Sequence, residues 1–93
     1  MRRIEETTEF KKDFKREARG NNSIILSELL PVLVLLATDK KLPEKHRDHA
    51  LAGDKKDLRD CHIRPNLILL YRKEEKDILR LVRIGSHSEL DIN

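Results

Sequence analysis

Apolar positions change their period near the middle of this chain. In the second half they recur every two residues or run unbroken over strand length. Leu58–Arg64, Leu67–Tyr71 and Ile78–Ile84 therefore read as three strands. Arg64-Pro65-Asn66 makes a turn between the first two, and charged Lys73–Asp77 is short enough for an antiparallel hairpin between the others. The middle run is apolar on both faces, which predicts a central strand covered on both sides. In the first half the period is helical. Phe10 and Phe14 share one face, and Lys11, Lys12, Lys15 and Arg16 crowd the remainder. Thr7 or Thr8 offers an N-cap, and Gly20-Asn21-Asn22 closes this helix. Ser23 caps a second helix whose stripe of Ile25, Leu26, Leu29, Leu30, Leu33 and Leu36 is too wide for an exposed helix. Pro31 removes one ladder bond there and predicts a kink or a restart. Ahead of both helices, Arg2–Thr7 suits a short edge strand anchored by Ile4. The layer solution is an α+β fold, an N-terminal helical hairpin packed on a small antiparallel sheet, with residues 1–93 forming one domain without repeats.

Between the halves, Lys40–Asp57 is polar and carries Pro43 and Gly53. It reads as a basic loop, with Lys40, Lys41, Lys45, Arg47, Lys55 and Lys56 set among His46 and His49, and such loops often carry function. Composition narrows the picture. The chain is 40% charged and 3% aromatic, so its core rests on Leu, Ile and Val. A formal charge of +3 permits a polyanionic partner without requiring one. Cys61 is the single cysteine, so no internal disulfide forms, and its place on an apolar strand face suits packing. The basic N-terminus leads into no apolar segment, and Leu29–Ala37 is too short to cross a bilayer. The expectation is a soluble cytoplasmic protein without membrane contact.

Candidate chemistry gathers on the first strand. Strand alternation puts Asp60 and His62 on one face and Cys61 and Ile63 on the other. A solvated face is the plain reading. The chemical reading is a carboxylate that orients an imidazole for proton transfer. The antiparallel meander would bring Asn66 and Arg83 together near His62, with His87 just beyond on a loop. His46 and His49 lack a third ligand for zinc, and no phosphate-cradling glycine loop or nucleophilic serine elbow occurs. No metal or cofactor is expected. Histidines, an aspartate and an arginine remain, which is the equipment for acid–base work on a phosphodiester.

Three blocks carry a resemblance: Asp48-His49-Ala50-Leu51-Ala52-Gly53, Arg59-Asp60-Cys61-His62-Ile63-Arg64-Pro65, and Leu81-Val82-Arg83-Ile84-Gly85-Ser86-His87-Ser88-Glu89-Leu90. Together, in order and spacing, they resemble the YafQ-like branch of the RelE/ParE toxin superfamily across essentially the whole chain. The resemblance implies a fold similar to compact microbial ribonucleases. It implies a toxin that enters the ribosomal A site and cleaves mRNA by 2′-hydroxyl attack, leaving a cyclic phosphate. A DinJ- or RelB-like antitoxin would neutralise it, and operator DNA would be reached only through that antitoxin. On this resemblance His49, His62 and His87 fall on active-site histidines, with His87 serving the leaving oxygen and the other two serving as base or in positioning. Asp60 would orient a histidine, and Arg83 falls on a phosphate-binding arginine. Lys40, Lys41, Lys45, Arg47, Lys55, Lys56 and Arg64 are the RNA-binding candidates. His46 has no counterpart and is expected at the surface.

Three departures bear on activity. Lys55 stands where the family usually has an aromatic, Asn66 where it usually has an aspartate, and Leu90-Asp91-Ile92-Asn93 replaces an aromatic end. An amide accepts and donates hydrogen bonds but exchanges no proton near neutral pH. These departures favour the alternative of a catalytically weak module that binds RNA or antitoxin. A third reading, a toxin of this fold directed at a topoisomerase, does not call for such a set of histidines.

Overall fold

The computed structural model of this chain describes residues 1–20, 25–53 and 57–92. Its elements run β1 (Arg3–Glu6), α1 (Thr8–Arg19), α2 (Ile25–Ala37), a 3-10 turn (Glu44–His46), β2 (His49–Ala50), β3 (Arg59–Arg64), β4 (Leu67–Glu74) and β5 (Ile78–Gly85). The strands form one sheet in the order β1-β5-β4-β3-β2. The expected meander is present, but the sheet is mixed. β1 joins β5 in parallel, while β2 to β5 pair antiparallel.

β4 is central, as a strand apolar on both faces must be. Leu67, Leu69 and Tyr71 face the helices and pack with Phe10, Leu29, Val32 and Leu36 in the main core. Ile68 and Leu70 face the other way and meet Leu90 and Ile92 of the C-terminal tail, with Leu51, Leu58 and Val82 alongside. The tail residues thus fill a second, smaller core.

α1 begins where the sequence places it. The Thr7 side chain accepts the Phe10 N–H at 3.0 Å, and its hydroxyl donates to the Val82 carbonyl at 2.7 Å. Phe10 and Phe14 stack, centroids 6.1 Å apart. α2 runs unbroken through Pro31, so the helix does not restart there. Ser23 and the Asn21-Asn22 pair lie outside the described residues.

β1 ends at Glu6, opposite Leu81, and leaves the edge of β5 open beyond that point. Side chains from the N-cap to the last turn of α1 take over the ladder. Thr7 holds the Val82 carbonyl, Asp13 Oδ2 accepts the Ile84 N–H at 3.2 Å, and Arg16 Nη2 donates to the Ile84 carbonyl at 3.3 Å. Asp13 is buried and also receives Arg83 through two bonds, 2.6 and 3.2 Å. Burial alone would raise its pKa. Hydrogen bonds from Arg83 and the Ile84 N–H, with the charges of Arg83 and Arg16, outweigh that and hold it below 3.8.

Two bulges set which side chains share a face. At Ile63 the β3–β4 register slips, and at Val82 the β4–β5 register does the same. A bulge re-aims the residues after it. Ile84 rejoins the main core with Leu79 and Leu81 despite the odd spacing, and Arg64 turns toward α2.

Asp13→Ala should cost on the order of 2–3 kcal/mol, because it strands a guanidinium and a buried N–H together. Chemical denaturation at neutral pH checks this. A carboxyl with a depressed native pKa stabilises the fold above its unfolded pKa and loses that effect as pH falls through the native one. The variant should therefore show a shallower loss of stability on acidification than the parent.

Candidate active site

The face of the sheet opposite the helices carries an open cleft of about 520 Å3. Arg47, Asp48, His49, Asp60, His62 and His87 line it, with Pro65 at one side. β2 brings His49 directly across from Asp60 of β3. Asp60 and His62 are both buried, at 4% and 8% exposure, so this is no solvated strand face. Cys61 points the other way at 0% exposure, where burial pushes its thiol pKa well up and makes it a packing residue.

Each cleft histidine spends its Nδ1 proton on a nearby oxygen. His62 donates to the Pro65 carbonyl at 3.2 Å, His49 to the Arg47 carbonyl at 2.6 Å, and His87 to Asn66 Oδ1 at 3.1 Å. A carbonyl oxygen can only accept, so these contacts fix one tautomer. Nε2 is then the nitrogen left for chemistry in all three rings. The His62 and His87 rings lie 5.4 Å apart, tilted by 60°.

Asp60 sits among them. Its Oδ1 lies 3.3 Å from His49 Nδ1 and 3.9 Å from His62 Nε2, yet it is buried without a hydrogen bond among the described residues. Burial raises its pKa, and the charges of His49, His62 and His87 offset only part of that rise. So placed, the carboxylate can stabilise a positive charge on a neighbouring imidazole.

Three local devices hold these groups in place. Tyr71, buried in the main core, donates its hydroxyl to Asp48 Oδ1 at 2.6 Å, and Arg59 Nε donates to the same oxygen at 3.3 Å. This pins the segment that carries Arg47 and His49. At the other end, Ser86 and Glu89 cap each other. The Ser86 N–H meets Glu89 Oε1 at 2.8 Å, and the Glu89 N–H meets Ser86 Oγ at 3.2 Å, with His87 between them. Gly85 leads into this turn. A Cβ there would stand 3.0 Å from Arg16 Nη2 and 3.1 Å from Glu89 Oε1, so a side chain would push those two groups back from the strand end by a few tenths of an ångström. The third device is His46. Half-buried rather than at the surface, it donates Nδ1–H to the His62 carbonyl at 2.7 Å, beside the Ile63 bulge.

The fold does not gather every residue singled out from sequence. Asn66 meets His87, through both its backbone N–H and its ring, rather than Arg83. Arg83 is held by Asp13 and does not line the cleft. Arg64 is tied to Glu28 of α2 on the helix side, because the Ile63 bulge turns it away from His62. Lys40 is exposed beyond α2, Lys41 borders a neighbouring cavity, and Lys45 borders an apolar hollow beside α2. Lys55 and Lys56 lie outside the described residues. Asp48, Arg59 and Tyr71 were not singled out. Asp48 adjoins His49 in the first block, but no local pattern links it to Tyr71. Among the described residues no group of three or more His, Cys, Asp or Glu is placed to hold a metal ion, and no helix is long and apolar enough to cross a membrane.

Residues 2–92 match the family described as "Bacterial toxin of type II toxin-antitoxin system, YafQ". The mRNA interferase toxin YafQ of Escherichia coli K12 is 34% identical over 90 residues, which cover 97% of this chain and 96% of that protein. A metal-bound toxin from Helicobacter pylori superposes with a TM-score of 0.87 at 43% identity, covering 97% and 99% of the two chains. The toxin in the E. coli DinJ–YafQ complex superposes at 0.84 with 32% identity, covering 97% and 98%.

Asp60→Asn should stabilise the fold at neutral pH. A carboxyl whose native pKa is raised favours the fold below its unfolded pKa and disfavours it as pH rises through the native one. Removing an unsatisfied buried oxygen's charge should recover part of the roughly 1–3 kcal/mol such a group costs. Thermal denaturation should show the variant ahead at pH 8 and level with the parent near pH 3.

Proposed function

Because this chain belongs to the YafQ family of type II toxin–antitoxin toxins, we propose that it is an endoribonuclease toxin that cleaves mRNA on the ribosome and is neutralised by a DinJ-like antitoxin. The observation that carries this reading is the set of three imidazoles, each tethered through Nδ1, around one buried carboxylate in an open cleft.

The chemistry needs no group from outside the chain. The 2′-oxygen attacks the adjacent phosphorus while its proton passes to a bare Nε2 of His49 or His62. The bond to the 5′-oxygen breaks, His87 acts as the imidazolium and delivers its Nε2 proton to that oxygen while Nδ1–H stays on Asn66, and a 2′,3′-cyclic phosphate remains. Asp60 stabilises the imidazolium that forms beside it. Each such proton transfer is worth about 10²–10⁴ in rate. Arg47 lies at the cleft and can face the phosphorane charge directly. Arg83 reaches the phosphate only by exchanging the Asp13 carboxylate for it.

Asn66 suits this scheme. Its oxygen receives the His87 Nδ1 proton whether the ring is neutral or charged, so it sets the tautomer without exchanging a proton. An amide fulfils that duty, although it adds no charge to favour the imidazolium. The site of action is the cytoplasm, where translating ribosomes are, and operator DNA is reached only through the antitoxin.

Expression without antitoxin, followed by primer extension on a reporter mRNA, tests the reading. The parent should produce discrete cuts. His87→Ala should lower cleavage by at least about 10²-fold while circular dichroism and antitoxin binding stay unchanged. Equal cutting by both would overturn the assignment. In a purified translating system, Asn66→Asp should move the basic limb of the pH–rate profile upward, since a carboxylate beside His87 favours the protonated acid. A folded parent that makes no cuts would leave a binding module.

A further inference from the structure

Beside the catalytic cleft lies a second cavity of about 310 Å3, and Arg47 and Asp48 belong to the walls of both. Lys41, Glu44 and Arg59 complete its polar lining. We infer that this cavity is a subsite for an RNA phosphodiester next to the one that is cleaved, with Arg59 and Arg47 as its principal donors. The inference rests on the nuclease reading and extends it to the neighbouring nucleotide.

Arg2, Arg16, Arg64, Arg72, Arg80 and Arg83 each meet a carboxylate. At the cavity Arg59 also meets one, Asp48, but through Nε alone. Arg59 is fixed at one point only: its Nε donates to Asp48 Oδ1 and to the Tyr71 hydroxyl, both at 3.3 Å. Among the described residues its two Nη groups make no hydrogen bond, and 42% of its side chain is exposed. A guanidinium anchored through Nε offers its remaining four N–H groups as a pre-oriented fork, the geometry that suits a phosphate. Arg47 holds a left-handed backbone at φ 48° and makes no side-chain hydrogen bond or ion pair among the described residues. Lys41 is likewise exposed and unpaired among them.

Two acids share the cavity. Asp48 is already met by Tyr71 and Arg59. Glu44 is exposed, makes no ion pair among the described residues, and is the acid left to oppose an anion. The charge balance of Lys41, Arg47 and Arg59 against Glu44 and Asp48 is positive, and the one uncompensated acid predicts a variant that binds better. The volume lies within the range of small-ligand cavities. Arg47 and Asp48 wall both cavities at the β2 edge of the sheet, so a strand that rounds this edge can place successive phosphates in the two.

The test is a binding measurement in a background that does not cleave, His87→Ala. The probes are a hexanucleotide carrying 2′-O-methyl groups on every sugar, and 70S ribosomes without mRNA. Arg59→Gln should weaken binding to the probe that supplies the phosphate by about ten-fold, and reduce the slope of log K against log salt by about 0.7 for a single strand. Arg59→Lys should keep the slope but not the full affinity, since the charge remains and the fork does not. Lys41→Gln, at an exposed side chain that lines this cavity and not the cleft, should also weaken binding and guards against Arg59→Gln loosening the Asp48–Tyr71 anchor. Glu44→Gln should tighten binding. Loss on the hexanucleotide is the expected result, and loss on empty ribosomes alone would overturn the assignment to the neighbouring nucleotide. Unchanged affinity and slope for Arg59→Gln and Lys41→Gln on the hexanucleotide would overturn the subsite. Cleavage by the His87-containing parent is scored separately, so a working nuclease with an idle cavity is distinguishable from a protein that cleaves nothing.

Discussion

A central strand that is apolar on both faces cannot leave either face in water, and most of this architecture follows from covering β4 twice. Helices α1 and α2 cover one side through Phe10, Leu29, Val32 and Leu36. No second helical layer is available for the other side, so Leu90 and Ile92 of the tail serve with Leu51, Leu58 and Val82. That smaller core is too short to cover the whole sheet. Where it stops, the face of β3 stays open, and Asp60, His62, His49 and His87 surround the gap. Burying the tail also places the His87 turn, so the residues that complete the fold also complete the site.

Within the gap, rigidity comes from spending every Nδ1 proton on an oxygen close by. Two of the acceptors for the cleft rings are backbone carbonyls and one is the Asn66 amide, so none of the three titrates. Orientation is thereby separated from charge. Charge is left to Asp60, whose carboxylate is buried, short of hydrogen bonds and pushed toward a higher pKa by that burial. A group so placed works against stability in the resting protein and is favourable only when a neighbouring ring becomes an imidazolium.

Two irregularities in the sheet sort the cations. The bulge at Ile63 sends Arg64 to Glu28, and past the slip at Val82 Arg83 is met by Asp13. Both arginines then brace helices against strands. The sheet edge at β2 keeps Arg47, which borders the cleft and is unpaired among the described residues, and Arg59, which lies on the helix side and is held only through Nε. The result is a basic surface made by few residues in a chain whose net charge is only +3.

Much of this was legible in the order of residues alone. Period-two runs gave the β3, β4 and β5 strands, Thr7 and the Phe10–Phe14 pair gave α1, and β4 could be placed at the centre because apolar residues on both faces demand cover. Alternation alone put Asp60 beside His62 and turned Cys61 inward. Motif blocks pointed to His49 and His87, since the family spacing is itself a record of the fold. The partners of Arg64, Arg83 and Asn66 could not be read in this way. Strand alternation assumes an unbroken register, and a single extra residue at Ile63 or Val82 reverses which face follows. Nor could sequence disclose that His46 supports the His62 carbonyl or that Tyr71 anchors Asp48, because these contacts join residues 16 and 23 positions apart through packing. Local periodicity determines which elements form and which faces are buried, whereas the tertiary fold decides which polar groups meet, because hydrogen bonds depend on register to within a single residue.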